Sequence, residues 1–158
     1  MTRLILSAAI LLLTCNTSWS QSDTPAPVTV SAAQIGHSLL LALEIPASIA
    51  ATATVSDDTL AVRLRALAGM LKDVARVVIL PEAAGCRRMG GEAIAHTKPD
   101  AALGPRISAG WEFECATPEV LGVLEIKLFS LLSVESIRAI VFPDGQFIIT
   151  PDHPYLPL

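Results

Sequence analysis

Trp111-Glu-Phe-Glu-Cys115 alternates apolar and charged residues without a break. That is the period of a half-buried β-strand, whose successive side chains point to opposite faces. Trp111, Phe113 and Cys115 are expected on the core side, and Glu112 and Glu114 on the solvent side. Just downstream, Thr117-Pro118-Glu119 supplies a cap, a proline at the first helical position and an acid in the first turn. Leu121, Leu124, Leu128, Leu131 and Leu132 then predict the apolar face of a helix. Val134 to Phe142 reads as a further strand. Pro143-Asp144-Gly145 reads as a hairpin turn, because glycine accepts positive φ, and Gln146 to Thr150 as the returning strand. After a loop at 151–154, Tyr155 to Leu158 is expected to add a short edge strand.

Upstream, residues 81–109 form the least regular stretch. A short strand near Glu92 to His96 is expected there within a loop, and Gly90-Gly91 reads as a turn. Arg76 to Leu80 has the composition of a buried strand, stopped by Pro81. Before it, Leu60, Leu64, Leu67, Leu71 and Val74 recur at spacings of four and three residues. Those spacings place all five on one stripe of an amphipathic helix, with Ser56 or Asp57 as its cap. Val28 to Ala33 and Leu39 to Ile45 read as the two strands of a hairpin, turned at Gln34-Ile35-Gly36 and ended at Pro46. The Ala-rich stretch 47–53 lacks a pattern. It is expected to cover the sheet, with an apolar patch for a partner as the alternative.

Assembled in order, these elements predict one α+β domain over residues 28–158. It holds an antiparallel or mixed sheet with two amphipathic helices on one face. A strand–Pro–helix–strand succession at 39–80 is echoed at 110–150, which makes a ferredoxin-like pseudo-repeat one possible arrangement. Residues 21–27 read as a flexible entry segment.

The N-terminus carries its own message. Arg3 provides a positive start, Leu4 to Leu13 an apolar run of ten residues, and Ser18 and Ser20 small residues before a cleavage site at Gln21. Residues 1–20 thus read as a secretory signal peptide, too short to span a bilayer. The alternative is lipidation at Cys15, in Leu12-Leu13-Thr14-Cys15, although Thr14 is a poor residue before such a cysteine. No other segment has the roughly 18 uninterrupted apolar residues of a membrane helix. The expected destination is the periplasm or the exterior, with a lipid-anchored envelope protein as the variant.

The whole chain has a formal net charge of −4, and loss of Arg3 leaves 10 basic against 15 acidic residues, or −5. No basic cluster exceeds Arg87-Arg88. A nucleic-acid partner is therefore not expected, because phosphate binding needs a concentrated positive face. Hydrophobic residues make up 52% of the chain, enough for a proper core.

Loss of the leader would leave Cys86 and Cys115, an even pair in an oxidising compartment. A disulfide is expected, adding roughly 3–4 kcal/mol by restricting the unfolded chain. A metal-binding or redox thiol pair is the alternative, without a Cys-x-x-Cys spacing to support it. Zinc needs three or four converging ligands. The chain has three histidines, His37, His96 and His153, whose spacing predicts no convergence. His96 with Asp100 is the one candidate metal pair, and two groups make a poor cage. There is no Gly-x-Ser-x-Gly elbow and no phosphate-cradling loop. The acid pairs Asp57-Asp58 and Glu112/Glu114 read as a helix start and a solvent-facing strand edge. No enzyme is expected.

Four segments in order carry a family resemblance. They are Leu39-Leu-Leu-Ala-Leu-Glu-Ile-Pro46-Ala47, Leu80-Pro-Glu-Ala-Ala-Gly-Cys86, Ala109-Gly-Trp-Glu-Phe-Glu-Cys-Ala-Thr-Pro118, and Leu128-Phe129 with Pro143-Asp-Gly-Gln146. Together, over about residues 28–158, they resemble the ZrgA-type periplasmic zinc-uptake accessory proteins, a family of unknown-function domains. The resemblance implies an exported helper whose partners are zinc-transport components of the envelope. In that family the metal chemistry would rest on histidines at three places. Here those places hold Asp23-Thr-Pro-Ala26, the single His96 between the cysteines, and Gly104 with Arg106. The resemblance thus implies a divergent member with zinc binding weak or lost and no resident cofactor. An envelope interaction module with no metal role is the alternative.

Overall fold

The computed structural model describes residues 27–51, 59–98 and 104–158. The signal-peptide and lipidation readings, including Cys15, the entry segment up to Ala26, the helix caps Ser56 and Asp57, and Asp100 fall outside them.

The chain opens with a hairpin of β1 (Thr29–Ile35) and β2 (Ser38–Pro46). Gly36 at φ +58° occupies the first position of its two-residue turn, where a left-handed conformation matches the twist of the strands. A single helical turn, α1 (Ala47–Ala50), follows, with Ala50 fully buried and Ala47 and Ile49 packed on the core. The described part of the Ala-rich stretch therefore covers the sheet, as expected.

Next comes α2 (Leu60–Leu71), whose stripe Leu64, Leu67 and Leu71 is fully buried. Val74 lies beyond its end, in a 3-10 turn (Val74–Arg76) to which Asp73 lends a carboxylate cap on the Ala75 N–H. The strand expected over Arg76–Leu80 shortens to β3 (Val78–Ile79).

The stretch expected to be mostly loop holds one of the longest strands. β4 (Cys86–His96) runs antiparallel to β5 (Arg106–Cys115) over nearly its full length. Gly90-Gly91 lies within β4, paired with Glu112 and Trp111, and is not a turn; the register shifts just before it, where Met89 is the extra residue of a β-bulge between Arg88 and Gly90. Gly91 sits at φ +149°, and a Cβ there would lie 2.5 Å from Trp111 Cδ1 and 2.8 Å from the Gly110 carbonyl oxygen. Only glycine lets the edge strand close over the indole.

The helix expected over 117–132 does not form. Thr117-Pro118-Glu119 starts only a 3-10 turn (Pro118–Val120), Gly122 breaks it at φ +27°, and β6 (Val123–Ile126) follows, then a second 3-10 turn (Leu128–Ser130). Leu121, Leu124, Leu128 and Leu132 are all buried, as a helical face would require, but from strand and turn. A central glycine and the β-branched Val120, Val123 and Ile126 weaken the helix. Pairing with two other strands then decides the conformation.

β7 (Ile137–Phe142) and β8 (Gly145–Ile149) form the expected hairpin, and β9 (Tyr155–Pro157) the expected edge strand. The strands make two sheets. The larger is mixed, in the order β4-β5-β2-β1-β7-β8, antiparallel except for the β1–β7 pair. The smaller, β3-β6-β9, is antiparallel. The fold is α+β, and among the described residues two helices lie against the sheets, α1 and α2, both from one half of the chain. The second unit of the pseudo-repeat lacks its helix, so the ferredoxin-like arrangement is not built.

One face of the larger sheet makes the core. Val30, Leu39, Leu41, Leu43, Ile45, Ile107, Trp111, Phe113, Ile137 and Ala139 point inward and are buried. The α2 stripe packs on β4 and β5, and Val78, Leu124, Ile126 and Leu156 of the smaller sheet join the same cluster.

Candidate functional site

The opposite face of the larger sheet has no element of the described residues packed over it as α2 packs the inner face. The strand register fixes what it displays, since residues paired across neighbouring strands share a face. One row runs Gly90, Glu112, Leu40, Ala33 and Phe142, from β4 to β7. The next runs Glu92, Gly110, Ala42, Ser31, Ile140 and Gln146, and the third Ile94, Ser108, Glu44, Thr29, Arg138 and Ile148. Glycine, alanine and serine fill the middle of the face, and larger side chains stand around them. The result is an open trough of about 740 Å³, floored by Ser31, Ala42 and Gly110 and walled by Leu40, Ile94, Ile140 and Phe142.

The trough is apolar for a reason legible in the strands. β2 is leucine on both faces at Leu39, Leu40 and Leu41, and β7 turns Ile140 and Phe142 outward as well as Ile137 and Val141 inward. Leu40, Ile94, Ile140 and Phe142 are 40%, 43%, 41% and 71% exposed, and Ile148 adjoins them at 63%. An apolar patch of this kind on a folded surface marks an interaction site.

Among the described residues, its only charged lining residues are Glu92 and Glu112. They sit diagonally across the β4–β5 ladder, because Glu112 pairs with Gly90 and Glu92 with Gly110. The neighbouring carboxylates are taken: Glu114 accepts from Arg87 at 3.0 Å, and Glu44 pairs with Arg106 at 3.5 Å. Glu92 and Glu112 have no such partner among the described residues. Among the described residues the lining holds no histidine, cysteine, lysine or arginine. Chemically the trough can hold an apolar body with a positive charge at one end.

Of the residues the sequence singles out, Trp111 and Glu112 line the trough, and the cysteines and histidines lie elsewhere. Cys86 and Cys115 form the expected disulfide, S–S 2.03 Å, as directly paired residues of β4 and β5. Beside it, His37 stands in the β1–β2 turn with Nδ1 2.9 Å from the Cys115 carbonyl oxygen, and the Cys115 N–H donates to the His37 carbonyl. That imidazole locks the hairpin tip onto the end of β5. His96 closes β4 opposite Arg106, and His153 sits in a tail turn bridged to Thr150. The structure thus spreads the three histidines over three places. Among the described residues no group of three His, Cys, Asp or Glu side chains could hold a metal ion. Trp111 and Phe113 are core, and Glu112 and Glu114 are exposed, as the alternation requires.

Sequence reasoning missed the trough itself. The available signal was the continuous apolar run Leu39 to Leu43, where a one-faced strand would alternate. No protein-family model matches the chain, and no curated protein is significantly similar to it. No helix among the described residues is long and apolar enough to cross a membrane.

Proposed function

We propose that the chain is an exported, non-enzymatic binding module of the bacterial cell envelope that works through the open face of its larger sheet. The observation that carries this reading is the apolar trough, whose walls Leu40, Ile94, Ile140 and Phe142 face solvent on one side of a well-covered core. Leaving such a surface bare promotes aggregation, so its persistence argues for an occupant. The cross-strand disulfide supports an oxidising compartment, in keeping with the leader-like N-terminus. The resemblance to zinc-uptake accessory proteins is then one of scaffold. The module would serve envelope transport components as a docking partner, with metal binding weakened or lost.

Nile red, a neutral apolar dye, tests the reading directly. The folded, oxidised protein is expected to bind it, and Ala42→Arg, which places a long cation on the trough floor, to abolish binding without shifting the melting temperature. Absence of dye binding, or equal binding by Ala42→Arg, would overturn the reading. Calorimetric titration with zinc is the companion measurement: submicromolar affinity would restore a metal role and remove the clause on its loss.

A further inference from the structure

We propose that the trough receives an amphipathic α-helix of another protein, with a basic residue of that helix against Glu92 and Glu112. This deepens the docking role proposed above and rests on it.

Three physical constraints select a helix. The first is hydrogen bonding. The strands beneath the trough, β5, β2 and β1, are paired on both sides, so their N–H and C=O groups are committed within the sheet. An extended segment laid on that face would find no backbone partner, and its own amides would be stranded in an apolar contact. A helix satisfies its own backbone and presents side chains only.

Shape is the second. The trough is open, and the small residues Ser31, Ala42 and Gly110 of its floor let a helix ridge come close to the sheet. From β4 to β7 it crosses five strands, about 19 Å at ~4.8 Å per strand spacing. That is the length of a helix of about 13 residues. A second copy of this chain is a poor occupant, because it would set Glu92 and Glu112 against a lining that, among the described residues, carries the same acids and no lysine or arginine. The one long helix among the described residues, α2, has its apolar stripe already buried.

The third constraint is charge. Glu92 and Glu112 line one end of the trough without a cationic partner among the described residues, while Glu44 and Glu114 next to them have theirs. A lysine or arginine on the incoming helix, or the positive end of its dipole, completes this pair. The same carboxylates, on a chain of formal net charge −4, repel an anionic lipid surface.

The test uses the oxidised protein and a synthetic peptide of about 14 residues, with leucines at i, i+3, i+4 and i+7 and lysines at both ends. Three comparators accompany it: the same peptide with a central proline, the same peptide with glutamates for lysines, and vesicles of phosphatidylglycerol. Calorimetry is expected to show saturable one-to-one binding of the basic helical peptide, competitive with Nile red. The double variant Glu92→Gln with Glu112→Gln should weaken it about five-fold, added salt should do the same, and Ala42→Arg should abolish it. Equal binding of the proline-broken peptide, equal binding of the acidic peptide, or preference for the vesicles would overturn the inference. So would failure of every peptide while Nile red still binds, and that outcome leaves the docking role standing. Failure of dye and peptide together removes both.

Discussion

The two faces of the larger sheet are built from the same strands, residue by residue in alternation, and they differ in almost every property. On β2 the inward set is Leu39, Leu41, Leu43 and Ile45, each buried, and the outward set is Leu40, Ala42 and Glu44, each exposed. On β5, Ile107, Trp111 and Phe113 face Ser108, Gly110 and Glu112 across the thickness of one backbone. The inner face is large, branched and filled by α2 and the smaller sheet. The outer face is small in the middle, apolar at its walls and acidic at one end. Alternation allows one set of residues to be chosen for packing and the other for contact with something else. The inner face should therefore be costly to alter and indifferent to ligand, and the outer face the reverse.

The largest expected effect tests the clamp at the edge of both faces. Replacing Cys86 and Cys115 together by alanine should lower stability by roughly 3–4 kcal/mol, from the entropy regained by a loop of sequence separation 29. Urea unfolding of the variant against the oxidised protein measures this. Next, Leu43→Ala on the inner face should cost about 3 kcal/mol, because the side chain is 1% exposed and its loss leaves a cavity. Dye binding by the fraction that remains folded should be unaltered. A loss below about 1 kcal/mol would mean that the core is not packed as described.

Gly91→Ala probes the close approach of edge strand β4 to Trp111, two residues beyond the bulge at Met89. The added methyl meets the indole at 2.5 Å in a backbone conformation that alanine avoids, so a loss of about 2 kcal/mol is expected. A shift in Trp fluorescence should accompany it. The smallest effect on stability belongs to the outer face. Leu40→Ala, at a residue 40% exposed, should change unfolding free energy by under about 1 kcal/mol while clearly weakening Nile red binding. Were Leu40→Ala as damaging to stability as Leu43→Ala, the distinction between the faces would fail.

Much of the fold was legible because local rules and tertiary needs agreed. Trp111 to Cys115 alternates, and its strand forms with the expected faces. Leu64, Leu67 and Leu71 are spaced as a helical stripe, and they are buried as one. Pro143-Asp144-Gly145 has turn chemistry, and it turns. The reading failed where two periods fit the same residues. Leu121, Leu124, Leu128 and Leu132 satisfy a helix on paper, but Gly122 and the branched neighbours left the conformation to β3 and β9, which pair with β6. It failed again at Gly90-Gly91, where a glycine pair that punctuates most chains instead lies within an edge strand and lets it close over a tryptophan.

The amino-acid order alone determined that this is an α+β chain with a core-forming helix carrying the Leu64, Leu67 and Leu71 stripe, a hairpin at each end and a cysteine pair placed to crosslink. These follow from periodicity and residue chemistry acting over a few positions. The tertiary structure decided which strands are neighbours, and with them the trough. Ser31, Ala42, Gly110 and Glu92 come from four separated segments, and nothing local marks them as one surface. Only the pairing register across the sheet brings them into a row, because a β-sheet assembles each face from residues far apart in the chain.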